Sequence, residues 1–116
     1  MLISSPLERA KRTAEIISKT TKHEIHYSDL FVERGKPTEL YGRSKYDEEA
    51  NKLYYKEWTD SLYNNGPRAK DGENYDELIN RIDNAISYLQ DLPQKSIVVV
   101  THSFFYKNIF NKVNFR

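Results

Sequence analysis

The sequence contains no cysteine. Disulfide bonds, thiol nucleophiles and cysteine-ligated zinc are therefore excluded over these 116 residues. A chain without cysteine is typical of a reducing compartment, and we expect a cytoplasmic protein. No apolar run approaches the roughly 18 residues that a membrane helix needs, and no basic start followed by a long apolar stretch indicates a signal peptide. We therefore expect no association with a membrane.

An excess of charge of either sign is also missing. The 18 lysines and arginines are offset by 17 aspartates and glutamates, which leaves a formal net charge of +1. A protein that binds nucleic acid through its phosphates normally has a basic excess or stripe, so we expect no nucleic-acid partner. Hydrophobic residues make up 38% of the 116 positions, enough for one small core. We predict a single domain over residues 1–116, without internal repeats or a linker.

Hydrophobic spacing predicts strands that alternate with helices. The predicted strands cover residues 1–3, 24–27 and 96–101, and the predicted helices cover 6–19, 47–63, 74–91 and 104–112. Residues 29–45 contain Gly35, Pro37 and Gly42 among charges and are interpreted as a long loop, and Gly66, Pro67 and Gly72 predict a break after the second helix. Strands and helices in this order favour an α/β fold with a parallel sheet.

Two local features refine this prediction. Ser5, Pro6 and Glu8 have the spacing of a helix start, with Ser5 as the N-cap, Pro6 as the first helical residue and Glu8 completing a capping box. The segment 96–101 is an unbroken β-branched run without alternation. Such a run predicts a strand that is buried on both faces.

The residues that favour a binding site lie in two turns between a strand and a helix. Ser4, Ser5 and Arg9 follow the first strand, and His102 and Ser103 follow the last. In open parallel sheets, ligands bind beyond the carboxyl ends of the strands, so we expect both turns at one edge. Helix N-termini and an arginine suit a phosphate group, and a histidine changes charge near neutral pH. On spacing alone, a solvated surface arginine is the favoured interpretation of Arg9, and a structural histidine is an open alternative for His102.

Other kinds of site have weaker support. His23 and His26 have a spacing that turns two imidazoles to opposite faces of a strand, and no third metal ligand is evident. The sequence has neither a phosphate-binding P-loop nor the elbow motif of serine hydrolases. Tyr54, Tyr55 and Trp58 lie among lysines and could stack on bases, but their helical spacing favours a core face. We expect no metal.

The segment from Ser4 to Ala14, SSPLERAKRTA, resembles the first signature of the histidine phosphatase superfamily, which includes phosphoglycerate mutases. Val98–Ser103 resembles its second signature, an apolar strand ending in Ser/Thr-His-Gly. Leu30–Arg34 is similar to the segment that holds the family's acidic proton donor, and Gly72–Asn74 is similar to its Gly-Glu-Ser. The resemblance extends over about the whole chain and implies a three-layer αβα fold with a mainly parallel sheet.

The resemblance also implies a chemistry, which is hydrolysis or transfer of a phosphomonoester through a phosphohistidine, without a metal or another cofactor. By matching position, Arg9 is a phosphate-binding arginine and His102 is the second histidine that holds the phosphoryl oxygens. Glu33 is the proton donor to the leaving oxygen, with a surface carboxylate as the competing interpretation. Ser103 replaces the usual glycine, and its backbone N–H remains a phosphate ligand. The expected partner is a phosphorylated small molecule or a phosphoprotein.

The chain departs from the family in one respect that affects catalysis. The family's nucleophilic histidine stands in an Arg-His-Gly motif on an N-terminal strand, and no Arg-His-Gly occurs in residues 1–116. We therefore expect a truncated member that is inactive as given and also lacks C-terminal elements. A non-catalytic phosphate-binding or protein-interaction remnant is the alternative. Without the missing strand, residues 97–101 are expected to form an open sheet edge that favours oligomers or completion in trans.

Overall fold

The computed structural model describes residues 1–43, 47–63 and 68–114 of the chain. The chain divides into two compact units. Unit 1 comprises Met1–Glu33 and Ile82–Arg116, and unit 2 comprises Arg34–Arg81. Each unit is described by itself below.

A parallel sheet of three strands forms the centre of unit 1. The strands are β1 (Leu2–Ser4), β2 (Ile25–Tyr27) and β3 (Val98–Val100), in the order β2-β1-β3. Leu2 lies opposite Ile25 on one side and opposite Val98 on the other, and both pairings are parallel. The sheet and its flanking helices confirm the predicted α/β class and the three-layer arrangement.

The prediction that the last strand is buried on both faces is wrong. The buried strand is β1, which lies between β2 and β3 and in which Leu2 and Ile3 are 1% and 0% exposed. In β3, Val98 is 50% exposed and Val99 and Val100 are only partly buried, and this strand lies at the edge of the sheet that the described residues form. The apolar run reports β-propensity correctly, but burial depends on neighbours that a local sequence does not contain.

The helices lie close to the predicted segments. Residues 47–63 and 29–45 contain additional turns: a π-helical turn, Leu53–Trp58, connects two short helices, and 3₁₀ turns occur at Asp29–Phe31 and Thr38–Leu40. Three parts of the predicted segments lie outside the described residues: the side chains of Tyr54 and Tyr55, residues 44–46, and residues 64–67 of the predicted break. The helices are α1 (Glu8–Thr21), α2 (Glu48–Lys52), α3 (Thr59–Tyr63), α4 (Tyr75–Asp91) and α5 (Ser103–Asn114).

The predicted start of the first helix is also wrong. Helix α1 begins at Glu8, its N-cap is Leu7, and no side chain caps it. Ser5 lies too far upstream to be the N-cap, although its hydroxyl does accept a hydrogen bond from the Leu7 N–H at 3.2 Å. The serine is drawn back to the sheet because its own N–H donates to the Val100 carbonyl of β3 at 2.9 Å.

Aromatic packing supports the sheet of unit 1 and fixes the segment that follows β2. Phe31 is fully buried and contacts Phe105 edge-to-face and Tyr88 at a tilt, each with a centroid separation of 6.3 Å. Its carbonyl accepts a hydrogen bond from the Thr101 hydroxyl. Together these contacts hold Glu33, two residues further on, next to the chain that leaves β3.

Unit 2 is organised around a buried arginine rather than a large apolar core. Its apolar cluster consists of Leu40, Ala50, Trp58 and Ala69. Arg34 is 8% exposed, and its guanidinium lies 4.3 Å from the centre of the Trp58 ring. Glu73 and Arg81 form a two-bonded ion pair in the same unit, with both N···O distances at 2.9 Å.

Asp71 in unit 2 is expected to make stability depend on pH in the acidic range. Thr38 donates its hydroxyl and its backbone N–H to the carboxylate, the latter at 2.8 Å, and these bonds lower the pKa of Asp71 below its ordinary value. The resulting stabilisation is fully present above the unfolded pKa of about 3.9 and is lost as the pH falls through the lower folded pKa. An NMR titration of the Asp71 carboxyl checks this, and Thr38→Val should raise its midpoint. An unchanged midpoint in the variant would contradict the assignment.

Among the described residues, no helix is both long and apolar enough to cross a membrane.

Candidate functional site

One pocket of unit 1 contains the four residues to which the family resemblance assigns a site role, and Ser4 and Ser5 are not part of its lining. The pocket has a volume of about 350 Å³ and lies at the carboxyl ends of β1 and β3. Its lining consists of Arg9, Ala10, Thr13, Glu33, Val100, Thr101, His102 and Ser103. The structure therefore brings together Arg9, Glu33, His102 and Ser103, which are separated by up to 94 positions in the sequence.

The pairing of two parallel strands explains this convergence. Ser4 of β1 lies opposite Val100 of β3, so both strands end at the same level of the sheet. The ladder continues one step further, because the Ser5 N–H donates to the Val100 carbonyl at 2.9 Å. The turn that leads into α1 and the turn that leads into α5 consequently leave the sheet side by side.

His102 occupies the N-cap position of α5. Its carbonyl accepts the first helical hydrogen bond, from the Tyr106 N–H at 2.9 Å. Its imidazole is 8% exposed, and Nε2 lies 2.9 Å from the Ser5 hydroxyl oxygen. The ring thus lines the pocket while Nε2 contacts Ser5, the residue that follows β1.

Glu33 provides the side-chain cap that the N-terminus of α5 would otherwise take from its own N-cap residue. One carboxylate oxygen accepts the Phe104 N–H at 3.2 Å, and the other accepts the Phe105 N–H at 2.9 Å. These are the second and third residues of α5, the positions that an N-cap side chain normally satisfies. A negative group at this end of a helix is also favoured by the helix dipole.

Glu33→Ala is therefore expected to destabilise the protein by about 1 kcal/mol, the usual cost of losing a helix cap. Amide exchange at Phe104 and Phe105 should accelerate, because both N–H groups lose their acceptor. Thermal unfolding and hydrogen exchange measure the two effects. Glu24→Ala is the matched control, since Glu24 is exposed, and its effect should stay within about 0.5 kcal/mol. Equal stability of the two variants would exclude the capping role.

Arg9 supplies positive charge to the pocket. It lies in the first turn of α1, is exposed to solvent, and its guanidinium makes no hydrogen bond or ion pair within the described part of the chain. Arg12, one turn further along α1, is instead engaged by Glu8 at 3.2 Å. Ser103 is the exposed first residue of α5, and its N–H is among the groups that a helix leaves without an internal partner.

Ser5 does not cap α1, although its spacing predicts an N-cap, and its hydroxyl contacts the His102 imidazole instead. The sequence does indicate this proximity, because both residues lie in the turns after strands that are predicted to end at the same edge. Thr101 was not singled out, although its hydroxyl anchors the pocket wall to the Phe31 carbonyl.

No metal site is evident in the described ranges: they contain no group of three or more histidine, aspartate or glutamate side chains placed to hold an ion.

A family model for the histidine phosphatase superfamily (branch 1) matches residues 1–113. The chain belongs to this superfamily. The match confirms the resemblance carried by the two signature segments, and membership supports a function of the phosphatase or phosphoryl-transfer type. No curated protein matches the chain significantly.

Proposed function

We propose that this histidine phosphatase family member binds the phosphoryl group of a phosphomonoester in the pocket between α1 and α5. The observation that carries the proposal is the convergence of Arg9, His102 and the Ser103 N–H on one pocket of about 350 Å³. Each of the three offers a donor or a positive charge, and a phosphate dianion needs several of both.

Arg9 is the main electrostatic contact in this proposal. A guanidinium presents a planar fork of donors that matches two phosphate oxygens. Because the Arg9 guanidinium has no partner within the described residues, a ligand would not have to break an existing ion pair. The N–H of Ser103 and the His102 imidazole supply further donors from the opposite wall.

The proposed chemistry is hydrolysis or transfer of the phosphoryl group. His102 would hold the equatorial oxygens, on which charge spreads in the transition state, and Glu33 would protonate the leaving oxygen. The family's nucleophile stands in an Arg-His-Gly motif that residues 1–116 do not contain. We therefore assign phosphate binding to the residues described here, and turnover requires that a nucleophile be supplied to this pocket. The substrate class is a phosphorylated small molecule or a phosphoprotein.

One observation favours a second candidate, a non-catalytic phosphate-binding protein. Both carboxylate oxygens of Glu33 accept backbone N–H bonds from α5. A proton donor must carry its proton on one of these oxygens and direct it at the substrate. In the capping arrangement Glu33 acts as an acceptor twice, so its role is explained by helix structure without any catalysis.

A titration and a hydrolysis assay of the purified chain test these proposals. Calorimetry with inorganic phosphate should show saturable binding, and absence of heat at millimolar phosphate would refute the binding proposal. Hydrolysis of p-nitrophenyl phosphate separates the two candidates. Turnover that His102→Ala abolishes would contradict the non-catalytic candidate and would require a nucleophile other than the family's. Binding without turnover would support it.

A further inference from the structure

The hydroxyl of Ser5 and the imidazole of His102 form a buried polar pair. The Ser5 oxygen lies 2.9 Å from His102 Nε2, and the two residues are 0% and 8% exposed. Neither partner can be solvated freely at this depth, so the direction of the hydrogen bond between them matters energetically. That direction determines which ring nitrogen of His102 carries the proton.

The remaining contacts of Ser5 identify the donor. Its oxygen already accepts the Leu7 N–H at 3.2 Å. Its hydroxyl hydrogen therefore needs an acceptor, and His102 Nε2 is the acceptor within reach among the described residues. If Nε2 carried a proton instead, the Ser5 hydroxyl would receive two donors, and its own hydrogen would be buried without an acceptor. A buried donor without an acceptor loses its hydration with nothing to compensate, which disfavours this arrangement.

We propose that Ser5 is a positioning residue that donates its hydroxyl hydrogen to His102 Nε2 and so holds the imidazole as the neutral tautomer protonated at Nδ1. The backbone fixes the pair in place, because the Ser5 N–H is bonded to the Val100 carbonyl, two residues before His102. Ser5 thereby restrains the ring orientation and assigns the ring proton to Nδ1.

The consequence for ligand binding rests on the proposed function. A restrained imidazole with a defined donor loses less entropy when it binds a phosphoryl oxygen than a ring that must reorient and change tautomer. Ser5 acts through His102 in this account and does not touch the ligand. The tautomer in the ligand-free protein, in contrast, is inferred from the hydrogen bonds of Ser5 and does not depend on phosphate binding.

Nitrogen NMR of the imidazole in the ligand-free protein is the direct test. The His102 signals are assigned by their loss in His102→Gln, because His23 and His26 also contribute. In the wild type we expect the signature of a protonated Nδ1 and an unprotonated Nε2 for the neutral ring. Ser5→Ala should shift the ring toward the Nε2-protonated tautomer, and Ser5→Thr, which keeps the hydroxyl, should retain the wild-type signature.

Ser4→Ala is the matched control for folding and packing. Ser4 is equally buried, and its hydroxyl donates to the Ser5 carbonyl at 2.8 Å without reaching the imidazole. A wild-type His102 that is protonated at Nε2, or a tautomer that Ser5→Ala leaves unchanged, would overturn the proposal. Should Ser5→Ala fail to fold, the wild-type and Ser5→Thr spectra still decide it.

Phosphate affinity distinguishes this inference from the proposed function. With inorganic phosphate as the probe, Ser5→Ala is expected to weaken binding by about 3–10-fold, and Ser5→Thr and Ser4→Ala should stay within about twofold of wild type. A wild type with the expected tautomer but without phosphate binding would refute the proposed function and support the positioning of His102 by Ser5. Phosphate binding with the opposite tautomer would refute the positioning alone.

Discussion

Replacing Arg34 with methionine is expected to lower the free energy of unfolding of unit 2 by about 2–4 kcal/mol. The guanidinium donates to the Trp58 carbonyl and the Ser61 hydroxyl at 2.9 Å and to the Glu73 carbonyl at 3.1 Å. Methionine fills part of the volume but removes the Arg34 donor from the Ser61 hydroxyl and from the Glu73 carbonyl. The Trp58 carbonyl keeps one donor, the Ser61 hydroxyl at 2.7 Å. It also removes the cation from the face of the Trp58 ring.

Denaturation with guanidinium chloride, followed by tryptophan fluorescence, measures this effect. Trp58 is the single tryptophan of the chain and lies directly against Arg34, so its emission reports on unit 2. Arg34→Lys should lose most of the same free energy, since an ammonium cannot reproduce the planar fork. Arg68→Met is the control. It removes an exposed 2.8 Å ion pair with Glu77, which is worth about 0–1 kcal/mol. Equal effects of Arg34→Met and Arg68→Met would contradict the organising role of Arg34.

Arg9→Ala is expected to weaken the binding of inorganic phosphate by about 10–100-fold, the usual effect of removing a charge-assisted contact. Arg12→Ala should change the affinity by less than about threefold. The two arginines have the same charge and lie one turn apart on α1, but only Arg9 lines the pocket, and Arg12 is paired with Glu8. The comparison therefore separates a specific contact from a general loss of positive charge.

Calorimetry at two salt concentrations completes this comparison. Arg9→Lys should fall between wild type and Arg9→Ala, because lysine keeps the charge but loses the bidentate geometry. Similar losses in Arg9→Ala and Arg12→Ala would mean that phosphate is attracted by the surface of α1 as a whole. The pocket would then have no particular role in binding.

Much of the architecture was predictable because helices and strands have different apolar periods. The stripe that predicted a helix over 74–91 corresponds to α4, Tyr75–Asp91, and the strand predicted at 24–27 corresponds to β2. The predictions are wrong where contacts with residues distant in the sequence determine burial or the start of a helix. The exposure of Val98 depends on strand order, and the start of α1 depends on the bond that draws Ser5 to Val100.

The buried charges of unit 2 could not be predicted from the sequence. Arginine and glutamate are almost always exposed unless they are paired. The sequence around Arg34, Glu73 and Arg81 does not indicate which residues they pair with. Arg34 donates to the Glu73 backbone carbonyl, 39 positions away in the chain. Arg81 pairs with the Glu73 carboxylate, 8 positions away. These contacts can be identified only when the path of the chain between the three residues is known.

The candidate site was predictable in its members but not in their contacts. Arg9 and His102 follow from the rule that parallel strands end at a common edge, and Glu33 follows from the family resemblance. That Glu33 caps α5 depends on the packing of Phe31, which no local pattern encodes. The pairing of Ser5 with His102 likewise depends on the register of β1 against β3.

The most direct test of the account is a titration with inorganic phosphate followed by the backbone amide signals of the whole chain. Binding in the pocket predicts that the largest shifts occur at Arg9, Ala10, Thr101 and Ser103, and that Arg9→Ala suppresses them. Shifts that centre on unit 2, or the absence of any saturable shift at millimolar phosphate, would contradict the assignment of this pocket as a phosphomonoester site.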